Sequence, residues 1–162
     1  MNFFNSATGN LFSPYSNTSY SSNNTSILSY QPSDTYANFE NVQHAINHPH
    51  EFLLVNTLSI ETQRCLIQNT IPANDEEHII NEMLHTLHLP DKKIIVYGKY
   101  ANDPTVERKH QQLSGMGVEH VYIYSGGMFE WMLLQDIYGT EDFPTTSQER
   151  DLLFFRGPGI RH

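Results

Sequence analysis

The feature that most constrains this chain is a rhythm of short apolar runs. "FLLV" (Phe52–Val55), "IIVY" (Ile94–Tyr97) and "VYIY" (Val121–Tyr124) recur along it. Runs of this kind suit strands buried on both faces of a parallel sheet and are short for buried helices. Helical patterns lie between them. "NDEEHIINEMLHTLHLP" (Asn74–Pro90) spaces Ile79, Ile80, Met83, Leu84 and Leu87 one helical turn apart. Asn74 or Asp75 can cap it, Glu76 and Glu77 suit its positive end, and Pro90 stops it. Pro104 to about Ser114 reads as a second helix, with Asn102 or Asp103 as its cap. "MFEWMLLQDIYG" follows Gly126-Gly127 and is apolar nearly all round, the pattern of a buried helix. Upstream, "YANFENVQHAINHP" (Tyr36–Pro49) reads as a helix with Phe39, Val42, Ala45 and Ile46 on one side. "CLIQNTI" (Cys65–Ile71) reads as a further short strand and turn.

Strands alternating with helices predict an α/β fold, a mostly parallel sheet covered on both faces. Right-handed crossovers gather the carboxyl ends of the strands along one rim, where ligands bind in such folds. The loop Gly98, Lys99, Tyr100, Ala101, Asn102 and Asp103 leaves that rim and is the candidate binding loop.

Charge narrows the partners. Eighteen acids oppose nine bases, a formal net charge of −9. That excludes nonspecific nucleic-acid binding and attraction to an anionic membrane surface. No apolar run approaches the ~20 residues of a membrane-spanning helix. "MNFFNSATGNLFSPYS" lacks a basic n-region and a continuous apolar stretch, so no secretory signal is expected. The sequons at Asn17, Asn23 and Asn24 are read as chance products of a Ser/Asn/Thr-rich tract. Cys65 stands alone, which excludes an internal disulfide and a multi-cysteine zinc site. A reducing, cytoplasmic location is expected.

The first charged side chain is Asp34. The tract before it has little to bury against its ordering entropy, so residues 1–35 are expected to be a disordered arm. Its spaced aromatics, Phe3, Phe4, Phe12, Tyr15, Tyr20 and Tyr30, can act as stickers for a partner. Residues 36–145 are read as the globular domain and 146–162 as a tail whose Leu152–Phe155 run can dock on the domain or on a partner.

Four pieces, taken in order, resemble the rhodanese-like family: "FLLVNTL", "LIQNTI", "IIVYG" with its loop and helix, and "GMGVEHVYIYSGGMFEW". The resemblance implies the family's three-layer fold, a mostly parallel five-stranded sheet with helices on both faces. It also implies a site at the loop after "IIVY". The sequence departs from the family at the decisive position. The nucleophilic cysteine of the family falls on Gly98, which has no side chain to form a persulfide. Asn56 and Leu58 stand where the family carries Asp and Arg. The loop is also about two residues longer than is typical of the family. The extension "FEWMLLQDIYG…FPTT" resembles a divergent branch found among eukaryotic microbes and large DNA viruses, which implies an intracellular setting, cellular or virus-associated.

Other residues carry candidate chemistry of their own. Cys65 is a candidate thiol, although a lone cysteine before an apolar run is more often an inert core residue. His44 and His48 have the i, i+4 spacing of zinc helices but lack the H-E-x-x-H glutamate, and they are read as a solvated helix end. His85 and His88 are read as surface residues. Trp131 is read as core, or as a flank of the rim pocket. No metal and no cofactor is expected. The reading is a catalytically inactive rhodanese-like domain. It acts as a binding or structural/interaction module, engaging an unidentified protein through the arm, the rim loop or the C-terminal apolar run. Two alternatives stay open. One is an enzyme, either a sulfurtransferase or redox protein using Cys65 or a hydrolase using the loop. The other is a small-anion sensor at residues 98–104.

Overall fold

The computed structural model describes residues 35–85 and 92–159. Residues 1–34 of the proposed arm, with Leu87, His88 and Pro90, lie outside the described residues. The elements run β1 (Tyr36–Ala37), α1 (Phe39–Asn47), β2 (Phe52–Asn56), α2 (Ala73–His85), β3 (Lys93–Tyr97), α3 (Pro104–Gly115), β4 (Val121–Tyr124) and α4 (Gly127–Tyr138). Short 3-10 turns form at Ile60–Thr62 and Leu152–Phe155. The sheet order is β1-β4-β3-β2, and every pair is parallel.

The parallel α/β architecture is as the sequence predicts, but the described residues form four strands rather than five. The missing one is Cys65–Ile71. It makes a single parallel bridge, Leu54 to Thr70, with the Ile71 N–H donating to Leu54 O at 3.0 Å. Asn69 turns the chain with φ 64, and Pro72, which has no N–H, ends any ladder. The expected helix at Tyr36–Pro49 is also shorter. Tyr36 and Ala37 pair with Ile123 and Tyr124 as an edge strand. Asn38 then starts α1: its side chain accepts from Asn41 N–H while the Asn41 side chain accepts from Asn38 N–H, each at 2.9 Å.

Two apolar layers sandwich the sheet. Val42, Leu54, Ile95, Tyr97, Tyr124, Met128 and Trp131 form one with α1 and α4. Val55, Ile80, Met83, Ile94, Val96, Val106 and Leu113 form the other with α2 and α3. Each fully buried Ile, Leu or Val contributes about 1.5–3 kcal/mol. The α4 helix is less enclosed than its composition suggests. Trp131 is wholly buried, while Leu133, Ile137 and Tyr138 are exposed. One flank faces the sheet, another meets the Leu152–Phe155 turn, and residues 143–145 pack along it against Trp131 and Gln135.

The segment read as a tail folds back onto the domain. Just before it, Thr145 bridges Ile67; within it, the Thr146 N–H donates to Leu66 O at 2.9 Å, and Phe155 is fully buried. Among the described residues no helix is long and apolar enough to cross a membrane.

Candidate functional site

The loop Gly98–Asp103 leaves β3 at the carboxyl rim, as expected, and α3 begins directly after it. Its backbone donors are largely consumed by the chain itself. Asp103 caps α3, and its Oδ1 accepts from the Thr105 N–H at 3.0 Å and the Thr105 hydroxyl at 2.7 Å. The other carboxylate oxygen accepts from the Lys99 N–H at 3.2 Å. The Asn102 N–H donates to Ser125 O, and the Asp103 N–H to Tyr100 O. Pro104 has no N–H. The Asp103 side chain therefore sits where an anion would be cradled, and only 8% of the residue is exposed.

Gly98 is where the departure from the family becomes geometry. A Cβ added there would lie 2.7 Å from Asp103 Cβ and 2.7 Å from Val106 Cγ2. The volume that a side chain would need at this strand tip is already filled. Two further glycines close the rim. Gly127, at φ 62, lets α4 approach so closely that a Cβ would meet Gly98 O at 2.8 Å. The Met128 N–H donates to Gly98 O at 2.9 Å, and the Phe129 N–H to Lys99 O at 3.1 Å. At Gly126 an added Cβ would strike the Glu130 carboxylate. Burial, with the Glu130 charge behind it, pushes ionisation of the Tyr124 phenol well above its ordinary range.

The C-terminal segment covers this loop. The Phe154 ring lies under two cations, with Arg64 Cζ 3.7 Å and Lys99 Nζ 4.7 Å from its centroid. Arg64 is anchored by Glu149 at 2.6 Å. The Glu149 carboxyl is held below its ordinary range, mainly by the Asp151 N–H and also by Arg64. Tyr100 packs against Gly157, where a Cβ would lie 3.2 Å from Tyr100 Cδ2. A hollow of about 710 Å³ remains between Lys99 and Tyr100 on one side and Leu153, Arg156 and Pro158 on the other. Of the loop, Ala101 and Asn102 are exposed. Asn102 takes φ 57, a left-handed conformation that asparagine tolerates.

Cys65 is not brought to the loop tip. It is fully buried in the α1/α4 layer, and its thiol donates to Ser147 O at 3.2 Å. Nearby, the Tyr97 hydroxyl accepts from the Ile67 N–H at 3.2 Å and bonds Thr70 Oγ1 at 2.8 Å. Burial pushes Tyr97 ionisation well above its ordinary range, so it serves as a neutral tie. Trp131 is core and does not flank the rim; its Nε1–H donates to Pro144 O at 3.2 Å. His44 and His48 stack with centroids 3.9 Å apart, and His44 meets the edge of Phe52. The residues that sequence reasoning missed here are Ser147, Glu149 and Gly157. Phe154 belongs to the apolar run Leu152–Phe155, expected to dock on the domain or on a partner, and nothing local showed where it would land.

A parallel sheet with helices on both faces, and a strand–loop–helix site at its carboxyl rim, define a small three-layer α/β domain. A family model described as the rhodanese-like domain matches residues 18–134, and the chain belongs to that family. Solved structures with likeness include the Alr3790 protein from Anabaena sp., 21% identical, covering 68% of this chain and 91% of that one, TM-score 0.49. A Lactobacillus plantarum protein is 18% identical over 70% of this chain and 88% of its own, TM-score 0.49. A single-domain sulfurtransferase from Saccharomyces cerevisiae is 21% identical over 64% of this chain and 93% of its own, TM-score 0.47. No curated protein matches the sequence.

Proposed function

We propose that this rhodanese-like domain is catalytically inactive and serves as a binding or structural/interaction module. One observation carries the reading: the strand tip that needs a thiol holds Gly98, and the Asp103 side chain fills the space beside it. Sulfur transfer needs a thiolate to take the sulfur and release it again. Cys65, the sole thiol, is sealed in the core with its S–H on a carbonyl. The small-anion reading of residues 98–104 is disfavoured because a carboxylate already accepts from the Lys99 and Thr105 N–H groups. The rim that remains is a contact surface of Lys99, Tyr100, exposed Leu153 and Arg156, suited to a protein partner in a cytoplasmic or virus-associated setting.

A thiosulfate-to-cyanide sulfur-transfer assay on the folded protein tests this. The expected rate is that of buffer, for the wild type and for Cys65→Ser alike. Turnover in the wild type that disappears in Cys65→Ser would overturn the proposal.

A further inference from the structure

A second cleft, of about 460 Å³, opens at the carboxyl end of β2, between the Leu58–Gln63 loop and the first turns of α2 and α3. Neither Gly98 nor Cys65 borders it. Its size is that of small-molecule sites. Its wall is mixed: Leu58, Ile60 and Ala73 are apolar, while Thr57, Arg108 and Gln112 are polar.

Charge within it is uneven. Lys109 Nζ is held by Glu76 Oε1 at 2.7 Å, both side chains being mostly buried, so that pair is neutral. Arg108, one residue away and exposed, has no ion pair or hydrogen bond among the described residues. In a chain of net charge −9, a cation left unpaired in a concave wall creates a local positive field. The guanidinium is a planar fork that matches carboxylate or phosphate oxygens two at a time.

The wall behind it is fixed. The Thr105 hydroxyl donates to Asp103 Oδ1 at 2.7 Å, so the Thr57 hydroxyl is the donor in their 2.6 Å contact. Asn56 also borders the cleft and is 4% exposed. Its Oδ1 accepts from the Leu58 N–H at 3.1 Å, whereas its Nδ2 has no hydrogen-bond partner. That donor is buried beneath the wall, so the cleft's ligand contacts fall to its accessible side chains.

We infer that this cleft binds a small organic oxyanion, a carboxylate or phosphate ester on an apolar group, with Arg108 as its charge partner. The apolar part lies against Leu58 and Ile60, which separates this ligand from bare inorganic ions. The inference goes beyond catalytic inactivity and stands whether or not the domain turns over sulfur.

Phenyl phosphate and benzoate are the probes, titrated separately into isotope-labelled protein while backbone amide shifts are followed. At least one is expected to saturate, with shifts gathered on Thr57–Ile60 and Thr105–Gln112, and the tighter of the two identifies the headgroup. Arg108→Gln, a surface change that leaves the fold intact, is expected to weaken binding about tenfold or more. Arg156→Gln, beside the other hollow, is expected to leave it unchanged. Saturation by neither probe, shifts centred elsewhere, or equal affinity in Arg108→Gln would overturn the inference.

Discussion

The two strand ends on this rim have been treated in opposite ways. At the end of β3, the space beside Gly98 is filled by Asp103, and Phe154 lies across the loop under Arg64 and Lys99. At the end of β2, Arg108 faces a cleft with no counter-charge of its own. The difference teaches that losing a nucleophile need not leave a hole. A carboxylate on the next helix cap can take over the donors, and the binding capacity proposed for the rim lies in the neighbouring cleft.

The largest effect should come from the cover of the closed end. Phe155→Ala removes a fully buried ring and is expected to cost about 3–5 kcal/mol in urea unfolding. It should also loosen the Phe154 ring from Arg64 and Lys99, read as a change in aromatic proton shifts. A loss below 1 kcal/mol would mean the segment is not seated as described.

Gly98→Cys restores the family's atom without its space. Overpacking against Asp103 and Val106 is expected to cost about 1–3 kcal/mol, and no sulfur transfer should appear. Robust turnover in this single variant would show that the pocket is open after all. Asp103→Ala, at the same end, should cost about 0.5–2 kcal/mol as a lost helix cap. Arg108→Gln, at the open end, should stay within about 0.5 kcal/mol of the wild type. Equal losses in these two would erase the contrast between a filled end and an open one.

The smallest effect is on pH. The Glu149 carboxyl is held below its ordinary range, so its contribution is complete above that range and is lost as pH falls through the depressed value. Stability should therefore decline slightly on acidification in Glu149-containing protein and less so in Glu149→Gln, followed by thermal unfolding across the acid range. Identical profiles would remove Glu149 as an anchor of the segment.

Local chemistry was legible; long-range seating was not. The apolar runs at Phe52, Ile94 and Val121 marked their strands, and Asp103-Pro104 marked the start of α3. Gly126 and Gly127 lead into α4 at a turn where a Cβ at either position would collide. The two-residue strand Tyr36–Ala37 carries too short a pattern to separate from the helix after it, and its pairing with β4 is set by the fold. The strand expected at Cys65–Ile71 failed because Asn69 and Pro72 stop a ladder that the apolar residues alone suggest. At the site, the missing thiol was readable at Gly98, and Asp103 was readable as a cap. That one carboxylate does both jobs, capping α3 and filling the space beside Gly98, depends on loop geometry that no spacing encodes. The same holds for Phe154 under Arg64, whose side chains meet across about ninety residues of chain.

The most direct test is the intact mass of the native wild-type protein after incubation with excess thiosulfate. The account predicts an unchanged mass, because no accessible thiolate exists to take the outer sulfur and release sulfite. A gain of one sulfur atom, removed again by cyanide as thiocyanate, would contradict it.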